Sequence, residues 1–113
     1  MPEVRFAVVD RLIVTAFVFG AISVDIRRGL VLRDGMPVNL APKEFQLLEY
    51  LIAHRERVIT RDELMAGVWQ YSAEADSRTV DVHIANIRRK IEPNPHIPRH
   101  ILTVRAKGYR FIP

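Results

Sequence analysis

The sequence predicts an α+β fold in which an antiparallel sheet precedes three helices and a C-terminal β-hairpin. Three observations carry that expectation. Short apolar runs broken by glycine-bearing turns occupy residues 17 to 40. Three stretches with apolar residues at helical spacing come next, the first opened by proline and the second by a capping pair. Near the end, Ile101-Leu102-Thr103-Val104 and Tyr109-Arg110-Phe111-Ile112 form two strand patterns joined through Gly108. A chain of 113 residues, 49% of them apolar, is long enough for one domain with a modest core and too apolar for disorder.

In the first part, Ser23-Val24-Asp25-Ile26-Arg27 alternates and sets Val24 and Ile26 on one face. Gly29 punctuates the chain, Leu30-Val31-Leu32 is a short strand, and Asp34-Gly35 is a turn signal before an extended Pro37–Leu40. Strands this short do not bury a face alone, so the sheet is expected to pack against the helical part of the chain. Residues 1–16 are read as a linker or an extra N-terminal segment, and residues 17–113 as the domain. Val4, Phe6 and Val8 alternate, which suits a linker or a strand that extends the sheet. Asp10 is read as an exposed strand-end residue.

The first helix, expected over 43–54, begins at Pro42, which needs no hydrogen bond at that position. Phe45, Leu48, Leu51 and Ile52 make its apolar stripe, with Lys43, Glu44, Gln46 and Glu49 turned outward. Ala41 at the cap position cannot accept an amide hydrogen, and Glu44 offsets part of that loss through the helix dipole. Val58-Ile59 is a short extended link. Thr60 and Glu63 make a capping box for a helix over 61–68, the hydroxyl taking the Glu63 amide and the carboxylate reaching back. Leu64, Met65, Val68 and Trp69 supply its apolar face. The polar stretch from Gln70 to Ser77 is a loop.

The third helix, about 77–92, carries the most information. At 100° per residue, Val80, Ile84, Ile87 and Ile91 fall within about 60° of one another. Val82, Asn86 and Arg89 occupy the opposite side, flanked by Arg78, Thr79 and His83. Pro93 stops the helix.

Charge is distributed unevenly. Residues 1–77 carry nine Lys/Arg against eleven Asp/Glu, whereas residues 78–113 carry eight against two. A basic end on a near-neutral body suits a polyanion, because each neutralised phosphate releases counterion. There is no cysteine, hence no disulfide or thiolate chemistry, and a cytoplasmic setting is the default expectation. The apolar stretch from Leu12 to Ile22 is about half of what a bilayer requires. No signal-peptide pattern, glycine-rich phosphate loop, metal triad or serine–histidine pairing is present, so neither an enzyme nor a cofactor is expected.

The sum is a winged helix-turn-helix: three helices with an N-terminal antiparallel sheet and a C-terminal β-hairpin wing. A major groove admits one α-helix, whose outer residues reach base edges. Asn86 suits adenine, Arg89 or Arg88 suits guanine, and Val82 or the Thr79 methyl suits a thymine methyl. The hairpin tip at about 103–109, with Arg105 and Lys107, suits a minor groove, where narrow A·T tracts attract arginine. Thr60 and the amides behind it, at a helix start, suit a phosphate.

The sequence also resembles a family. From Phe17 to Phe111 it is similar to the C-terminal effector domain of OmpR/PhoB-type response regulators of bacterial two-component systems. The motifs are Leu40–Leu48, Thr60–Leu64, Val68-Trp69, Arg78–Ile84, Ile87–Glu92, Thr103–Arg105 and Gly108–Phe111. The resemblance implies a four-stranded N-terminal sheet, DNA binding and transcription regulation. It implies that Arg78 holds a phosphate, that Val82, Asn86 and Arg89 face the groove, and that Arg105 enters the minor groove. It further implies that Thr103 and Tyr109 touch the DNA backbone and that Trp69 and His83 approach phosphate. Loop 70–77 would be a contact for RNA polymerase, and pairing would be a homodimer on tandem DNA sites.

Three departures stand out: Ala41 for a threonine cap, Ala106 where the wing usually has glycine, and Gln70 where glycine follows the tryptophan. A positive φ at residue 106 would strain alanine by about 1 kcal/mol. Residues 1–16 are too few for a receiver domain, so the chain is either the effector part of a longer regulator or a stand-alone one. Other readings accompany the DNA-binding ones. Trp69 suits a core position, and for His83 a solvated imidazole stands beside the phosphate contact. Tyr109 also suits hairpin filling, Arg88 an ion pair with Glu92 or the body, and Asp81 a partner for Arg78 or another cation. The alternative function is a winged helix used for protein contact or dimerisation without specific DNA binding. RNA is disfavoured, because exposed aromatic stacking platforms are scarce.

Overall fold

The computed structural model describes the backbone of residues 3–9, 12–72 and 75–113, and side chains from Ala16 onward apart from residues 73 and 74. It divides into two compact units, one ending at Asn39 and the other formed by Leu40–Ile112.

The first unit is an antiparallel sheet of five strands in sequence order: β1 (Glu3–Val9), β2 (Leu12–Phe19), β3 (Ile22–Asp25), β4 (Leu30–Arg33) and β5 (Met36–Pro37). The resemblance implied four. The extra strand is β1, paired with β2 from Glu3 opposite Val18 to Val9 opposite Leu12. Residues 4–9 and 12–16 thus extend the sheet, and the expected division between residues 16 and 17 falls inside β2. The reading of Asp10 lies outside the described residues. Asp34 and Gly35 both take positive φ (51° and 80°), the conformation that closes the β4–β5 hairpin, as the Asp-Gly signal foretold. One alternation fails. β3 ends at Asp25, whose buried carboxylate accepts the Arg28 amide at 3.1 Å and turns the chain. Ile26 therefore lies in the turn, exposed, and not beside Val24.

The second unit holds α1 (Pro42–Ala53), β6 (Val58–Thr60), α2 (Arg61–Trp69), α3 (Ser77–Ile91), β7 (Ile101–Val104) and β8 (Gly108–Phe111). Its core is made by Leu47, Leu48 and Leu51 of α1, Leu64 and Val68 of α2, and Val80, Ile84, Ile87 and Ile91 of α3, closed by Ile59, Ile101 and Phe111. The α3 stripe is the expected one. On α1 the buried face is rotated from expectation: Leu47 is fully buried and Phe45 only partly. Glu44, expected outside, is buried, because it has two partners there. Its carboxylate takes the Lys90 ammonium at 2.7 Å and the Ala41 amide at 3.1 Å. Burial opposes its ionisation, but Lys90 and the Ala41 amide together outweigh this and hold it below the ordinary carboxylate value.

Two further expectations are corrected here. Val58-Ile59 is more than a link: β6 pairs with β8, giving a three-stranded sheet of order β6-β8-β7. At the start of α2 only half of the capping box forms. Thr60 Oγ1 accepts the Glu63 amide at 3.0 Å, while the Glu63 carboxylate turns to the Arg57 guanidinium (2.9 Å to Nη1) and the Tyr50 hydroxyl (2.8 Å). An arginine fork offers a carboxylate two charge-assisted bonds, which one uncharged amide does not match. The Arg57 guanidinium, opposed by burial and helped by Tyr50, holds Glu63 down to about 2 from 4.5.

Two glycine-related positions govern the hairpin. A side chain at Gly108 would meet the Ile59 carbonyl oxygen at 2.1 Å, so glycine is what lets β8 lie against β6. Ala106 has φ 64°, the left-handed conformation that L-residues avoid. Gln70 and Tyr71 are likewise left-handed (51° and 53°).

Ala106→Gly should raise unfolding free energy by about 0.5–1 kcal/mol, the left-handed strain less the chain entropy of glycine. Gly108→Ala should cost about 2 kcal/mol or more by overpacking against backbone. Urea titrations decide both, and a destabilising Ala106→Gly would contradict the strain. Because the Glu63 carboxylate is more acidic folded than unfolded, its contribution is complete above about pH 4.5 and is lost as pH falls toward 2. Melting temperatures should therefore fall less steeply across that window in Glu63→Gln than in the native chain.

Candidate nucleic-acid interface

The outward side of α3 is formed by residues that the helix core leaves free. Its start is fixed by Asp76, whose Oδ1 accepts the Thr79 amide at 3.1 Å, while Thr79 Oγ1 accepts the Asp76 amide at 3.2 Å. This reciprocal box occupies the Thr79 hydroxyl and leaves only its methyl for contact. Arg78, Val82 and Arg89 are exposed, Val82 by 56%. Asn86 Oδ1 accepts a hydrogen bond from Arg89 Nη2, so the two expected base-reading groups are paired along one turn of the helix.

The wing is fastened beside this helix by three polar contacts. Tyr109, expected at the DNA backbone, is buried in β8, and its hydroxyl donates to Asp81 Oδ1 on α3. Asp81 also accepts from Arg61 Nε at 2.9 Å, so its cation partner is Arg61. Arg88, one of two candidates for guanine, donates from Nε and Nη2 to the Ile101 carbonyl at 3.0 and 2.7 Å. It also donates to Thr103 Oγ1 at 2.8 Å. Thr103 is thus exposed but engaged, and Arg88 locks β7 to α3. The Arg61 and Arg88 guanidinium carbons lie 5.2 and 5.6 Å from the Tyr109 ring centroid. Burial first, then the bond to Asp81, push the Tyr109 hydroxyl above the usual phenol range, which keeps it a donor. Beyond these contacts, Arg105 and Lys107 are exposed on either side of Ala106 at the hairpin tip.

Trp69 is buried at the end of α2 and meets the His83 ring edge-on, centroids 5.1 Å apart. His83 is half-buried, with Nδ1 2.8 Å from the Thr79 carbonyl. The structure therefore brings Arg78, Val82, Asn86 and Arg89 to one helix face and Arg105 and Lys107 to the tip, while withdrawing Tyr109 and Trp69 into the core.

Sequence reasoning passed over Arg61, and gave Glu92 only as an ion-pair candidate for Arg88 and not as an acceptor of backbone amides. Arg61 lies twenty positions from Asp81, and no local pattern links them. Glu92, buried just past α3, accepts backbone amides of Arg99 (2.8 Å), His100 (3.0 Å) and Ile101 (2.8 Å). The one available signal was an acidic residue directly before the proline-rich loop, whose amides need acceptors. Among the described residues no group of three His, Cys, Asp or Glu could hold a metal ion, and no helix is long and apolar enough to cross a membrane.

Residues 35–111 match the family model described as transcriptional regulatory protein, C terminal. The sensory transduction protein RegX3 of Mycolicibacterium smegmatis is 43% identical over 91 residues, covering 80% of this chain and 40% of that protein. The alkaline phosphatase synthesis transcriptional regulatory protein SphR of Synechococcus elongatus is 49% identical over 80 residues, 71% of this chain and 31% of that one. The chain spans less than half the length of these relatives. Among solved structures, the response regulator DrrB of Thermotoga maritima, an OmpR/PhoB homolog, superposes with a TM-score of 0.78 at 33% identity, covering 85% of this chain and 43% of that chain. The RstA DNA-binding domain of Klebsiella pneumoniae, in complex with the RstA box, gives 0.74 at 33% identity, covering 85% of this chain and 95% of that one.

Tyr109→Phe should lower unfolding free energy by about 1–2 kcal/mol, since it removes one charge-assisted bond while Asp81 keeps Arg61. An unchanged urea midpoint would show the hydroxyl bond to be idle.

Proposed function

This chain belongs to the OmpR/PhoB-type family of C-terminal transcriptional regulatory domains, and we propose that it binds specific duplex DNA through α3 and the wing. The observation that carries the reading is the exposed side of α3, Arg78, Val82, Asn86 and Arg89, with a cationic hairpin tip fastened to the same helix. In this reading α3 lies in the major groove. Asn86 releases Arg89 to pair with adenine, Arg89 takes guanine or phosphate, and Val82 and the Thr79 methyl pack on thymine methyls. Arg78 holds a phosphate at the helix start. Arg105 enters the minor groove, with Lys107 and Thr103 near the backbone. Trp69 and Tyr109 act from beneath, by fixing His83 and the wing. The DNA complex of the RstA domain supports this reading by its likeness in fold and sequence.

Two chains pair on tandem sites in this proposal, loop 70–77 faces RNA polymerase, and β1 and the start of β2 add to the sheet without reading DNA. Such a regulator works in the cytoplasm, where the chromosome lies.

Replacing Asn86 by Ala should leave stability within about 0.5 kcal/mol, because its surroundings offer little packing to lose. It should weaken operator binding by about 1–3 kcal/mol and hardly change binding to random duplex, since base contacts carry discrimination. Arg105→Ala should weaken both, lower the salt slope by about one, and cost more beside A·T-rich flanks. Titrations of both variants against operator and scrambled duplex at several salt concentrations are the test. Equal losses on the two duplexes for Asn86→Ala would reject base reading by that residue. Loss of all preference for operator by the native chain would favour a protein-contact module.

A further inference from the structure

His83 sits at the flank of the outward side of α3. Counting about 100° per residue, it lies roughly 100° around the helix from Val82, the centre of that side. A helix that turns its centre to base edges sets such a flank against a groove wall, where the phosphates run. The ring is held in one orientation. Nδ1 lies 2.8 Å from the Thr79 carbonyl oxygen, and the Trp69 indole meets the ring at an interplanar angle of 77°. A carbonyl oxygen only accepts, so Nδ1 carries the hydrogen in that bond. In the neutral ring Nε2 is then a bare lone pair, and among the described residues it has no hydrogen-bond partner.

A phosphodiester oxygen also only accepts. Neutral His83 and a phosphate would thus present lone pair to lone pair, which repels. A proton on Nε2 turns the same geometry into a charge-assisted N–H···O bond. We propose that His83 is a proton-dependent phosphodiester contact: DNA binding carries one proton from solvent onto Nε2. The proposal rests on the DNA-binding reading and adds its proton linkage.

The surrounding charges suit this. From α1 the charged neighbour is the Glu44 carboxylate. Glu44 is bound to the Lys90 ammonium, further along α3, at 2.7 Å. From α2 the neighbour is Trp69, which does not titrate, beside the Val68 carbonyl that holds the Lys43 ammonium at 2.9 Å. On α3 itself Thr79 supplies a carbonyl and Asn86 is uncharged. Imidazole changes charge between roughly pH 5 and 8, so the linkage falls where affinity is easily measured.

The test is operator and scrambled-duplex binding by fluorescence anisotropy from pH 6 to pH 8 at fixed ionic strength, for the native chain, His83→Gln and His96→Ala. Glutamine offers an amide donor whose charge does not change. The native chain should bind operator roughly threefold to tenfold tighter at pH 6 than at pH 8, the range for a group whose protonation is favoured up to tenfold in the complex. His83→Gln should vary by less than about twofold over the same range, and His96→Ala should keep the native slope. Proton uptake by native protein, from calorimetry in buffers of different ionisation enthalpy, should reach about half a proton near neutral pH, the maximum for a tenfold change. A native slope retained in His83→Gln, or binding without proton uptake, overturns the inference while leaving DNA recognition intact. Equal binding to operator and scrambled duplex at every pH overturns the DNA-binding reading and this inference with it.

Discussion

The Asp81–Tyr109 hydrogen bond is the contact on which the geometry of the second unit depends. A two-stranded hairpin has too little core to hold its own position in water. Here the hairpin is tied to α3 at its only phenol, with the Arg61 and Arg88 guanidinium groups beside the ring and Arg88 reaching past it to the Ile101 carbonyl. β6 completes the arrangement by pairing with β8 on the side away from β7. The contact joins α2, α3 and the wing through one carboxylate, so a shift of any of them is felt by the others. At the other end of β7, Glu92 takes three backbone amides that the chain leaves unpaired as it returns from the proline-rich loop.

This arrangement separates two sets among the eight cations of the basic third, with Arg99 and Arg110 exposed outside both. Arg88 and Lys90 are engaged by the fold, with the Ile101 carbonyl and with Glu44. Arg78, Arg89, Arg105 and Lys107 are exposed, on the helix and at the wing tip. Charge counting treats all of them as equal contributors to attraction for a polyanion. Geometry separates those that hold α3 and the wing in place from those that face outward.

Much of this was legible from residue pattern. The stripe of Val80, Ile84, Ile87 and Ile91 fixed both the core side of α3 and its outward side, because a helix has one period and burial selects one face. Pro42, Thr60 and Asp34-Gly35 marked boundaries through local chemistry, and each stands where expected. The features that were not legible have one common cause: partners distant in sequence. Glu44 is buried because Lys90 is there, Arg88 is withdrawn from base reading because the Ile101 carbonyl is there, and Glu63 leaves its cap for Arg57 and Tyr50. Tyr109 was placed at the DNA backbone by the resemblance, with hairpin filling as the alternative, and its partner Asp81 lies 28 positions away. Positive φ at Ala106 was open for a related reason, since the path of a turn depends on the register of the strands it joins.

The central claim is that the outward side of α3 and the wing together read duplex DNA. Selection of bound duplexes from a random pool, with the chain folded and salt fixed, tests it most directly. The account predicts enrichment of a short motif flanked by an A·T-rich tract on the wing side, with the motif repeated in the same orientation. Recovered duplexes as random as the starting pool, from protein that melts cooperatively, would contradict it.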